Sequence, residues 1–288
     1  MLELVIDGVA RDIGALGVRR VLPYAKHRMV GPFIFLDHLG PLALPRRIPR
    51  ALDVRPHPHI GLATVTYLFE GELMHRDSVG SQQPVRVGEV NWMTAGRGIT
   101  HSERFEKARA EGGAIHGIQC WVALPTGEEE CAPSFVHWSA AQLPLCESPG
   151  ESVRVLAGAV AGAVSPVATR SPLFLAHWTL AEGAHVSLPE RYPERAAFIV
   201  SGSVEVEGRT YGSGQLLVFA AARPALIRPL APSIVIALGG EPVGPRYIEW
   251  NFVSSSQERI EQAKVDWRAG RMKLPDFDDR EFIPLPGP

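Results

Sequence analysis

RPHPHIGLATVTYLFEGE, residues 55–72, decides the fold of this chain and most of its chemistry. His57-Pro58-His59 sets two imidazoles at i and i+2. Thr64 to Glu72 then alternates as a strand and turns at Gly71. A second cluster with the same spacing, His101-Ser102-Glu103, follows a glycine-rich loop, Ala95 to Gly98. In an extended strand, residues two apart point to one face, so each cluster can aim both side chains at one point. Three imidazoles and one carboxylate suit a divalent transition metal. The mixture favours iron over a structural zinc, whose sites are closed tetrahedra rich in cysteine. Hydrogen-bonded core histidines and a surface glutamate would explain either cluster alone. Two clusters with correctly spaced glycines between them favour the metal, with His57, His59, His101 and Glu103 as its ligands.

Working outward, short strands with regular turn signals continue on both sides. Val85 to Thr94 is a strand pair broken at Gly88, and Gly117 to Leu124 is a further strand ended by Pro125. That rhythm predicts an all-β sandwich or barrel. The second half repeats it: Phe198 to Gly202 mirrors Tyr67 to Gly71, and Gly214 to Phe219 mirrors Gly88 to Met93. Two β domains of one type are expected, residues 1–130 and 151–288, with 131–150 as a linker rich in proline. Anchored on these glycines, His57 and His59 fall opposite Leu188 and Glu190, and His101 and Glu103 opposite Ile227 and Pro229. No histidine follows His185, so one metal is expected, in the first domain only. Near the C-terminus, Ser255 and Glu258 fit a capping box. Ile260, Ala263, Lys264 and Trp267 mark one helical face. The expected helix spans 256–269, and the proline-rich tail after it is expected to be extended.

Composition narrows the function classes. Net charge is -2, from 29 Lys+Arg against 31 Asp+Glu. Such a balance gives no basic stripe for direct nucleic-acid binding. Three cysteines without CxxC spacing read as reduced thiols, and Cys120 as a small core residue. No stretch approaches the ~18 apolar residues of a membrane helix. The first residues carry Glu3, Asp7 and Asp12 and no long apolar run. A cytoplasmic protein is expected.

His-x-His, strand, glycine turn, strand and a final His is the general pattern of the cupin superfamily. Two departures are specific. Thr64 stands where the usual first motif has Glu, and Thr94-Ala95-Gly96-Arg97-Gly98-Ile99-Thr100-His101 is two residues longer than the usual second motif. With TAGRGITHSE (94–103), HGIQCWV (116–122), FLDHLGP (35–41) and WNFVSSSQERIEQAKVDWRAG (250–270), the chain resembles the pirin family, and within it the bacterial pirin-like quercetin dioxygenases. The resemblance implies a bicupin with Fe(II) in the first barrel. It also implies that Glu103 supplies the carboxylate missing at Thr64. The implied activity is ring-opening of a flavonol such as quercetin by O2 with release of carbon monoxide, Glu103 being both ligand and general base. A redox-sensing regulator that binds a protein partner would need the same ligands, and a purely structural metal remains a third reading. Two barrels in one chain can meet what single cupins achieve by dimerising, so a monomer is expected.

Several residues stay open on sequence alone. His116 and Gln119 either touch the site or form a core pair. Asp37 and His38 are weaker candidates for the same role. Val65, Tyr67 and Met93 are expected as walls for a flat aromatic ligand. His75 reads as part of a solvated hairpin, Glu128–Glu130 as a solvated loop, and His27, His137, His177 and His185 as structural. Arg97 has no assigned role.

Overall fold

The computed structural model describes residues 1–13 and 16–287. The chain is all-β apart from short helices and forms two compact units, each built from antiparallel strands. The strands that matter most for function are β1 (Val54–His59), β2 (Leu62–Glu70), β3 (Glu72–Asp77), β4 (Gln82–Arg86), β5 (Val90–Thr94), β6 (Ile99–Arg104), β7 (Gly113–Ala123) and β8 (Ser134–Trp138). They form a four-stranded sheet, β1-β6-β3-β4, and part of a seven-stranded one containing the order β8-β5-β2-β7.

The internal repeat is carried through strand by strand. Gln215–Phe219, Glu194–Ser201 and Ser233–Gly240 adjoin in the other unit as β5, β2 and β7 do here. Its smaller sheet, Val186–Ser187, Leu226–Pro229, Ser203–Val206 and Arg209–Gly212, matches β1-β6-β3-β4. Val186 pairs with Ile227 on the strands that match β1 and β6. Val186, Leu188 and Ile227 all belong to one apolar core cluster, so side chains that cannot ligate fill those positions.

The units interleave along the sequence. One comprises Met1–Ala10, Arg19–His38 and Ala141–Pro242; the other comprises Arg11–Val18, Leu39–Ala140 and Val243–Pro288. A contiguous split around 131–150 assigns the C-terminal helix and tail to the second half, whereas they belong to the unit that carries the histidines. Burial explains this: Ile260, Ala263 and Trp267 of the helix Gln257–Arg268 pack with Ile60 and Phe252. Lys264 borders that face and extends its ammonium to Glu249 and Glu261. The cap is Ser256, whose hydroxyl accepts from the Arg259 N–H, and not Ser255. Ser255 is held instead by Glu129, which also accepts from Ser254 and pairs with Arg246. Glu129 is thus a buried anchor within what reads as a solvated acidic run.

Gly61 follows the first histidine pair at φ +66, and a Cβ there would lie 2.0 Å from the Val253 carbonyl oxygen. Both left-handed backbone and close approach require glycine. Gly61→Ala is expected to destabilise the protein by about 3 kcal/mol or more. A midpoint in thermal unfolding equal to wild type would contradict this.

Candidate metal centre

β1 and β6 run antiparallel, with His101 directly opposite His57 and Ile99 opposite His59. Paired residues share a face, and alternation then brings His57, His59 and His101 together. One donor atom from each lies within 4.8 Å of the other two. Ring centroids are 4.3 to 5.1 Å apart, and all three side chains are buried. Trp121 packs edge-on against His59.

The tautomers follow from what each ring touches. His57 Nδ1 lies 2.8 Å from the Arg55 carbonyl oxygen, and His59 Nδ1 lies 3.1 Å from that of Asn251. A carbonyl only accepts, so each Nδ1 carries the proton and each Nε2 keeps a lone pair. His59 Nε2 and His101 Nε2 approach to 3.1 Å. Burial holds His57 down to about 4, and burial followed by the neighbouring histidines holds His59 and His101 well below the ordinary histidine value. Neutral imidazoles with convergent lone pairs are the form in which histidine ligates a metal, and carbonyls behind the ring are the usual means of fixing the tautomer. The residues therefore fit a divalent cation.

Glu103 is placed differently. A β-bulge separates it from His101: Ser102 faces both Arg55 and Pro56, and Glu103 pairs with Val54 on one side and His75 on the other. Among the described residues, the group of donors within 4.8 Å is the three histidines without Glu103. Its Oε1 accepts from the Thr66 hydroxyl at 3.3 Å, and Thr66 Oγ1 lies 2.8 Å from the Gln119 side-chain amide. Burial pushes the Glu103 carboxyl up, while His75 and hydrogen bonds from Thr66 and Gln119 offset only part of that rise.

Thr66 belongs to a polar rung that the sequence did not disclose. Gln119 is opposite Thr66, Thr66 opposite Asn91, and Asn91 opposite His137. Asn91 Oδ1 lies 2.8 Å from His137 Nδ1. Gln119 thus touches the Glu103 carboxylate, as one of its two sequence readings expects, and His137 joins the rung. His116 instead packs against Phe69. By the same registers Met93 and Trp121 share the face of Thr64 and Thr66, whereas Val65 and Tyr67 point to the opposite face. Of the three expected wall residues, only Met93 stands on the histidine side.

His75 is not solvated. It is 4% exposed, bonded to Asp77 at 2.9 Å, and stacked on Phe135 at 4.4 Å. Leu73, His75 and Asp77 alternate inward along β3, so the hairpin has one buried face. Asp37 and His38 belong to the other unit, where Asp37 receives both arms of the Arg20 fork and His38 meets Phe198 edge-on. Cys120 is a buried core residue, as expected. Arg97 is exposed; its backbone accepts from Arg259.

Known proteins carry the same organisation. A family model described as Pirin matches residues 15–122, and one described as Pirin C-terminal cupin domain matches residues 175–273. A pirin-like protein of Caulobacter vibrioides is 58% identical, covering 99% of this chain and 100% of its own length. A Pseudomonas aeruginosa protein provisionally named a quercetin 2,3-dioxygenase is 36% identical over 100% of this chain and 90% of its own. The crystal structure of a quercetin 2,3-dioxygenase from Acinetobacter baumannii superposes with a TM-score of 0.89 at 31% identity, covering 99% of this chain and 94% of that one. With both of its repeats matched and a relative this close along its whole length, the chain belongs to the pirin family.

Proposed function

We propose that this protein is an Fe(II)-dependent dioxygenase that opens the ring of a flavonol such as quercetin with O2. His57, His59, His101 and Glu103 are assigned as the metal ligands. The observation that carries this reading is the convergence of three buried, neutral imidazoles, two of which, His57 and His59, turn Nδ1 to a carbonyl oxygen. The quercetin dioxygenase names among its relatives supply the substrate class.

A bound divalent metal would supply Lewis acidity that acidifies the flavonol hydroxyl beside its ketone. The chain's own residues do the rest. Glu103 accepts that proton, and its raised carboxyl is better matched to the task than an ordinary glutamate. Thr66 and Gln119 hold the carboxylate in place on the strand behind it. Met93 and Trp121, on the histidine face, give a flat aromatic molecule apolar surface.

The test is protein loaded anaerobically with Fe(II), then exposed to quercetin and air. Loss of flavonol absorbance with matched oxygen uptake and carbon monoxide release is expected. A metal-loaded protein that consumes neither substrate overturns the reading. Oxidation-dependent capture of a protein partner would then favour the regulatory alternative, and a chelator that lowers only the unfolding temperature would favour a structural metal.

A further inference from the structure

The strand that brings His101 and Glu103 inward presents Thr100, Ser102 and Arg104 on its other face. All three hold the C-terminal tail. The Thr100 hydroxyl donates to the Lys273 carbonyl at 2.5 Å. Ser102 Oγ donates to Asp278 Oδ2 at 2.6 Å. Arg104 grips the same carboxylate with two parallel bonds of 2.7 Å and reaches Glu281 at 3.0 Å. On the neighbouring strand, the Pro56 carbonyl accepts from the Ile283 N–H at 2.8 Å.

These contacts coincide with the bulge. Two carbonyls of the edge strand β1, beside its extra residue, bond outside the ladder. That of Arg55 orients the His57 ring, and that of Pro56 is taken by the tail. The forked Arg104–Asp278 pair is mostly buried, with side-chain exposures of 8% and 15%. A forked pair of this kind demands one geometry. Asp53 ties the network to the flank by accepting from Arg109 and from the Phe105 N–H. The tail therefore lies one backbone thickness behind the ligands and touches both strands that carry them. A cleft of about 1220 Å³ borders it, lined by Arg55, Arg76, Arg104 and Phe277 among others and by none of the three histidines.

We propose that the C-terminal segment Lys273–Ile283 is a positioning element for the metal site: by gripping Ser102, Arg104 and Pro56 from the outer face, it holds the bulged pair β1 and β6 in the register that aims His57, His101 and Glu103 inward. Asp278 is its central residue. The proposal rests on the metal reading given above. Outer groups that orient ligands usually govern metal affinity by about 10- to 100-fold.

Co(II) serves as the probe, with affinity measured by chelator competition and geometry read from its ligand-field absorption. Measurements are made at a temperature where near-UV dichroism shows every variant folded. Asp278→Ala is expected to bind Co(II) about 10- to 100-fold more weakly than wild type, with an altered spectrum. Asp278→Asn, which keeps an acceptor for Arg104, is expected to recover part of the loss. A role in stability alone predicts a lower unfolding temperature with unchanged affinity and spectrum, and that result overturns the proposal. Should Asp278→Ala not fold, Ser102→Ala decides: weaker Co(II) binding supports the proposal, and wild-type affinity overturns it. Wild-type protein that binds no Co(II) removes the metal reading itself and this proposal with it.

Discussion

Glu103→Gln, loaded with Fe(II), is expected to keep its metal on three imidazoles and lose quercetin turnover by at least about 100-fold. Removing a positioned general base typically costs 10²- to 10⁴-fold. Gln preserves the volume and the bonds to Thr66 and Gln119 while removing the proton acceptor. The decisive quantities are kcat at saturating flavonol and metal content per chain. Full kcat in a metal-replete variant would exclude Glu103 as the base. Loss of metal together with activity would instead mark it chiefly as a ligand.

The second large effect is on the metal-free protein, which is expected to lose stability as pH falls from about 6.5 towards 4. His57 is held down from 6.5 to about 4 by burial, with His59 and His101 shifted in the same direction. A base with a depressed folded value binds fewer protons folded than unfolded through that window. Its stabilisation is complete above 6.5 and is lost as pH drops to the folded value. His57 alone accounts for about 3 kcal/mol. Asp77 and Asp278 are both lowered overall: burial raises each, but His75 with Ser81, and Arg104 with Ser102, outweigh it. The unfolding they cause belongs to a lower range, below the ordinary aspartate value. Denaturant midpoints measured across pH on chelated protein test this. A flat profile between pH 6.5 and 4.5 would contradict it.

How much of this was readable in the residues depended on the kind of signal. The two His clusters, the glycine turns between repeats and the C-terminal helix were legible because period and spacing report them directly. The helix ends within a residue of its expected bounds. Thr66 and Asn91 were not, because one polar residue in an alternating strand looks the same whether it faces water or a site. Glu129 was hidden by its neighbours, since a run of acids gives no hint that one of them is buried beneath Arg246. His75 could have been found: ELMHRD, residues 72–77, places Leu73, His75 and Asp77 in one phase, and Leu73 marks that phase as inward.

The bulge in β1 also settles a question of charge. In unbroken alternation Arg55 would share a face with His57 and His59, and its guanidinium would stand among the three imidazoles. A permanent cation there would repel any metal ion from a poorly screened interior. The extra residue changes the parity of the strand. Val54 takes the inward place opposite Glu103, and Arg55 is exposed. The bulge thus keeps the strand's permanent cation on the outer face and leaves the inner face to neutral imidazoles.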